Sequence, residues 1–189
     1  AEVHDSTIGW RFVNPRMHAL HGTDAMGETA ENVATRFGIS RTDQDAFAWR
    51  SQQRAAAAQA QGLLAPEILP VQVPGARKGE SRLFEHDEHL RADTTLDSLA
   101  RLKPAFREGG TVTAGNSSGV NDGAAALLLL GEAELARGPF KPMARILGVA
   151  TAGVEPRLMG IGPVPAVRKL LAQTGLSITD FEVIELNEA

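Results

Sequence analysis

The stretch Thr111–Ala125 reads TVTAGNSSGVNDGAA. It sets the hydroxyls of Thr111, Thr113, Ser117 and Ser118 and the amides of Asn116 and Asn121 among Gly115, Gly119 and Gly123, immediately before an apolar run. Such residues make capped turns anywhere in a protein. They also make loops at which a ligand meets hydrogen-bond donors, and the pattern alone leaves both readings open. A second concentration of chemistry precedes it. Arg77, Lys78, Arg82, Arg91, Arg101, Lys103 and Arg107 crowd one charged, loop-like segment. They form either a solvated face or a set of donors converging on the phosphates of a ligand.

Other chemistries are poorly supplied. The chain has no cysteine, so a thiol nucleophile, a disulfide and a cysteine metal site are excluded within it. No serine stands in a G-x-S-x-G elbow, and the five histidines (His4, His18, His21, His86 and His89) lack metal-ligand spacing. Gly160–Pro165 (GIGPVP) has a superficial likeness to a dinucleotide loop, but the third glycine is missing and Pro163 interrupts it.

The 189 residues are 43% hydrophobic and 22% charged, enough for a real core. A net charge of −4 argues against nucleic acid as a partner. The opening residues form no signal peptide. The longest apolar run, Gly123–Leu130, falls far short of the ~20 residues that span a bilayer. These features predict a cytoplasmic protein with no membrane partner. Both ends read as interior sequence: there is no initiator Met, and VIELNEA stops on what reads as a buried strand. The chain is therefore expected to be a piece of a longer protein.

Several elements are needed to position the turn. Residues 1–26 read as irregular. A helix opens at Gly27-Glu28-Thr29-Ala30-Glu31 and stops at Gly38, and a second is capped by Ser40 and ends at Gly62. Glu67–Val73 reads as a strand and Leu96–Arg101 as a short helix. The run Gly123–Leu130 fits a helix by propensity or a strand buried on both faces. Ala144–Ala150 and Phe181–Leu186 read as strands around a helix at Val164–Gln173, the alternation of a layered α/β core.

GTVTAGNSSGVNDGAA strongly resembles the signature of the thiolases, which join or cleave acyl chains on coenzyme A. MGETAENVA (Met26–Ala34), RTDQDAFAWRSQQ, TTLDSLARLKPAF (Thr94–Phe106), MGIGPVPA and IELNEA agree with it in the family's order, across essentially the whole chain. The resemblance implies an α/β fold, a thiolase-like layered α-β-α core that is incomplete here, with an inserted α-rich loop domain. It implies that residues 1–25 end the first core half and lead into the loop domain. Residues 26–107 would be that loop domain over coenzyme A, 108–140 the end of the N-terminal core half with Gly123–Leu130 a buried strand, and 141–189 the start of the C-terminal half.

Thiolase chemistry uses a nucleophilic Cys, an activating His and a second Cys as acid and base. By resemblance these lie outside this chain, so the 189 residues alone are expected to be inactive. The resemblance gives Ser118 a hydrogen bond to the pantetheine arm, with Gly119 beside it allowing close approach. It places Arg91, Ser98 and Leu102 around the nucleotide end, and Met26 and Phe106 along the pantetheine channel. Asn187 would position a catalytic water in the oxyanion hole. One departure stands before Met26, where several family members have His and this chain has Ala25.

Thr7–Pro15 (TIGWRFVNP) is similar to the corresponding stretch of thiolases that cleave 3-oxoadipyl-CoA to succinyl-CoA and acetyl-CoA. The terminal carboxylate of that substrate needs a cation, which Arg11 or Arg16 could supply if they are not plain surface residues. The alternatives are an acetoacetyl-CoA or general 3-oxoacyl-CoA thiolase, or a non-catalytic fragment for coenzyme A binding or oligomerisation. The resemblance further implies coenzyme A as substrate, no permanently bound cofactor, no metal, and a homodimer or homotetramer.

Overall fold

The structure, a computed structural model, describes residues 12–188. In chain order the elements are α1 (Pro15–His21), α2 (Met26–Phe37), α3 (Arg41–Ala60), β1 (Val71–Pro74), β2 (Ser81–Phe84), α4 (Leu96–Ala100), α5 (Glu132–Arg137) and α6 (Pro163–Thr174). Short 3-10 turns stand at Ala65–Glu67, Pro156–Ile161 and Ile178–Asp180. The chain divides into two compact units, Ala34–Gly119 on one hand and Val120–Glu188 with the described residues up to Val33 on the other.

In the unit Ala34–Gly119, α3 starts where Ser40 accepts a hydrogen bond from the Asp43 amide at 3.1 Å. Its alanine-rich second half favours helix, and the chain leaves it through Gly62, whose φ of +69° suits glycine. α4 is held by a capping box between Thr95 and Ser98. β1 and β2 form an antiparallel hairpin pairing Val71 with Phe84 and Val73 with Arg82. The strand expected over Glu67–Val73 is therefore corrected. Ala65–Glu67 is a 3-10 turn with Pro66 in its first positions, and the ladder begins only at Val71. Its partner lies in the segment read as a charged loop, because one face of so short a hairpin is solvated and can carry charge. Leu99, Val112 and Thr113 are buried, and the Ala105 amide donates to the Val112 carbonyl at 2.9 Å.

In the other unit, residues 15–21 form α1 where irregular chain was expected. Asn14 caps it, accepting from the Arg16 amide at 2.9 Å, and Pro15 takes the first helical position. Asp24 joins the chain after α1 to a distant segment. Its carboxylate accepts from Arg157 Nε and from Asn32 Nδ2, both at 2.8 Å, and Asn32 also donates to the Arg157 carbonyl at 3.1 Å. The hydrogen bond and charge of Asp24 raise the Arg157 pKa above its ordinary value. α6 forms as expected, with Pro163 opening it and Gly175 closing it in the left-handed region.

The expected strands of this unit are not paired. Gly123–Leu130, Ala144–Ala150 and Phe181–Leu186 form no ladder with any described residue, and Leu127 is 91% exposed. Gly123–Leu130 is neither the helix that its propensity allows nor the buried strand that the resemblance implies. The physical reason is that a strand's backbone groups need a neighbour on each side, and none stands among the described residues.

Candidate functional site: the glycine turn and its supports

The turn is built around the side chain of Asn116. Its Oδ1 accepts from the Thr113 amide at 2.7 Å, and its Nδ2 donates to the Thr111 carbonyl at 3.1 Å. Thr113, fully buried, accepts from the Gly115 amide through Oγ1 at 3.2 Å, while Ser117 Oγ donates to the Thr113 carbonyl at 2.7 Å. The inner half of the turn thus spends its polar groups on itself. Ser118 and Gly119 are left exposed, and the Ser118 hydroxyl makes no hydrogen bond among the described residues. A Cβ on Gly115 would stand 2.5 Å from Leu99 Cδ2 and 2.5 Å from Leu102 Cδ1. The glycine required by close packing is therefore Gly115.

Helix α3 carries the supports. Asp45, buried on it, accepts from Asn116 Nδ2 at 2.9 Å with one oxygen and from Arg41 Nε at 2.8 Å with the other. Arg41 Nη2 then donates to the Leu99 and Leu102 carbonyls at 2.6 and 3.0 Å, at the C-terminal end of α4. Gln44 Nε2 donates to Thr111 Oγ1 at 2.9 Å. The Gln52 side chain accepts from the Arg91 amide at 2.8 Å. One helix face therefore holds the turn, the end of α4 and the loop around Arg91.

The residues expected to meet coenzyme A are distributed as follows. Ser118, Gly119, Arg91, Ser98, Leu102 and Phe106 all belong to the unit Ala34–Gly119. The Ser98 hydroxyl donates to the Thr95 carbonyl at 2.7 Å and accepts from the Thr95 amide, which accounts for it as a cap. Arg91 Nη1 donates to the carbonyls of Glu88, His89 and Leu90, so part of its guanidinium shapes its own loop. Leu102 packs towards Gly115, and Phe106 is half-buried. Met26, Arg16 and Asn187 lie in the other unit and are exposed. Arg11 lies outside the described residues.

The basic segment does not converge as a single anion site. Arg77 pairs with Glu80 at 3.8 Å and Arg82 with Glu88 at 3.6 Å, both exposed. Asp45 is the residue that reading the sequence missed. Arg41 and Asp45 at i and i+4 signal a pair on one helix face, but nothing local signals Asn116, 71 residues further on.

The chain is similar to known proteins along its whole length. The thiolase N-terminal domain matches residues 6–133 and the thiolase C-terminal domain residues 140–189. The 3-oxoadipyl-CoA/3-oxo-5,6-dehydrosuberyl-CoA thiolase of Escherichia coli K12 is 60% identical over 189 residues, which is 100% of this chain and 47% of that protein. The beta-ketoadipyl-CoA thiolase of Pseudomonas putida is 57% identical over 188 residues, 100% of this chain and 46% of that protein. Among solved structures, the Bacillus anthracis acetyl-CoA acetyltransferase superposes with a TM-score of 0.82 at 39% identity, covering 96% of this chain and 48% of its own. The chain spans about half the length of the curated relatives it matches. With both domain models matched in order and the α/β fold shared with solved thiolase-type enzymes, the chain belongs to the thiolase family.

Proposed function

We propose that this chain is part of a thiolase that cleaves 3-oxoadipyl-CoA with coenzyme A to succinyl-CoA and acetyl-CoA. The observation that carries the reading is the 60% identity, along the whole chain, to a relative named for that substrate. The acetoacetyl-CoA alternative draws on a more distant likeness, an acetyl-CoA acetyltransferase 50% identical over 178 residues. Coenzyme A enters as a substrate and no cofactor stays bound. The working enzyme is a cytoplasmic homodimer or homotetramer.

Within it, residues 26–107 act as the loop domain, 1–25 and 108–140 belong to the first core half, and 141–189 open the second. Ser118 donates to or accepts from a pantetheine amide, and its exposed, unengaged hydroxyl supports that role. Gly119 leaves room for the arm. Arg91, Ser98 and Leu102 border the nucleotide, and Met26 and Phe106 line the pantetheine. For Ser98 the role is contact by backbone and Cβ, since its hydroxyl serves the cap. Asn187 holds a water that stabilises the thioester oxyanion, an interaction that typically supplies a few kcal/mol to the transition state. The chain has no cysteine, so the nucleophile and its acid-base partners come from the rest of the enzyme, and these 189 residues alone do not turn over.

The substrate assignment is tested on the full-length protein. Its kcat/KM should favour 3-oxoadipyl-CoA over acetoacetyl-CoA. Arg11→Ala or Arg16→Ala should erase that preference while sparing acetoacetyl-CoA, because only the longer substrate ends in a carboxylate. A wild-type preference for acetoacetyl-CoA would overturn the assignment, and equal losses on both substrates would make the arginine structural.

A further inference from the structure

The buried carboxylate of Asp45 has an arrangement that helix stability alone does not require. A carboxylate pairing with an arginine at i+4 or i−4 on one helix is satisfied by that partner and solvent. Here the second oxygen is turned to Asn116, the residue whose amide organises the whole glycine turn. Arg41, on the first oxygen, is in turn anchored to the carbonyls of Leu99 and Leu102. Leu99 and Leu102 are the side chains against which Gly115 packs. A closed circuit results, running from the turn through Asp45 and Arg41 to the end of α4 and back through Gly115. The exposed Ser118 hydroxyl and the Leu102 side chain are its two outward-facing products.

We infer that Asp45 is a positioning residue for coenzyme A: it fixes the spacing between the Ser118 turn and the Leu102 end of α4, and so sets the width of the strip on which the pantetheine-nucleotide arm is recognised. This rests on the reading of Ser118 as a coenzyme A contact. The physical basis is preorganisation. A hydroxyl on a glycine-rich turn recognises an amide only if the turn is already ordered, since ordering it on binding would consume affinity. An amide at position 45 would present a donor to either Arg41 Nε or Asn116 Nδ2, both of which are donors, so one arm of the circuit must open.

The test uses the full-length enzyme with Asp45→Asn, Arg41→Lys and Ser118→Ala. Binding of coenzyme A is measured by calorimetry. Turnover is measured with the coenzyme A thioester and with the same acyl group on N-acetylcysteamine, which lacks the nucleotide and most of the arm. Asp45→Asn should weaken coenzyme A binding on the order of tenfold and raise KM for the coenzyme A thioester with kcat little changed. Turnover of the short thioester should stay within about twofold of wild type. If Asp45→Asn does not fold, Arg41→Lys, which keeps the charge but not the reach to both carbonyls, should give the same split at about threefold.

Equal losses on both thioesters would overturn the inference, leaving Asp45 a merely structural residue. Unchanged coenzyme A binding in Asp45→Asn and Arg41→Lys, with Ser118→Ala weakened, would overturn it while the Ser118 reading stands. Unchanged binding in all three variants would overturn both.

Discussion

Each unit contains an aspartate held between an arginine Nε and an asparagine Nδ2. Asp45 sits between Arg41 at 2.8 Å and Asn116 at 2.9 Å; Asp24 sits between Arg157 and Asn32, both at 2.8 Å. The bond lengths agree within 0.1 Å, but Asp45 divides its partners between its two oxygens while Asp24 takes both on Oδ2, and the surroundings differ. The Asp45 side chain is 7% exposed and that of Arg41 25%, against 16% for Asp24 and 53% for Arg157. An open ion pair competes with water and salt and contributes little, whereas breaking a buried one strands donors that water cannot reach. Similar bond lengths therefore do not mean equal weight, and the Asp45 hub should govern its unit more firmly than the Asp24 hub governs the other.

Removing each hub measures that difference. In the full-length protein, Asp45→Ala orphans Arg41 Nε and one Asn116 donor and should destabilise by about 2–4 kcal/mol, read from urea unfolding. A cost below that of Asp24→Ala would reverse the ranking. Gly115→Val tests the other side of the same circuit. Its side chain would press on Leu99 and Leu102, and overpacking should cost about 1–3 kcal/mol. Retained stability there would mean that the leucines move aside freely. Asp24→Ala should cost clearly less than Asp45→Ala, because Arg157 is half in solvent and Asn32 keeps the Arg157 carbonyl. Adding 1 M salt, which cuts the Debye length to about 3 Å, should shrink the Asp24 effect and leave that of Asp45 nearly unchanged.

The same contrast between local and distant partners explains what could be read in the sequence. Helices α2, α3, α4 and α6 were legible because their hydrogen bonds and caps, such as Ser40, Gly38 and Gly175, lie within a few residues. The Asn14-Pro15 signal of α1 is equally local. The apolar runs 123–130, 144–150 and 181–186 needed partners that no local pattern supplies. Their exposure among the described residues, with Leu127 at 91% and Val183 at 77%, reflects that. In the glycine turn, the motif marked the right segment but not the division of labour inside it. Thr113 and Asn116 hold the turn, and Ser118 faces out. That division depends on Asp45, 71 residues earlier.

The most direct test of the account is coenzyme A affinity of the full-length protein with Ser118→Ala. Removing one hydrogen bond should weaken binding roughly three- to tenfold. The melting temperature should stay within about 1 °C of wild type, because the hydroxyl supports nothing else in the described structure. A lowered melting temperature with unchanged coenzyme A affinity would contradict the account and make the turn a structural feature alone.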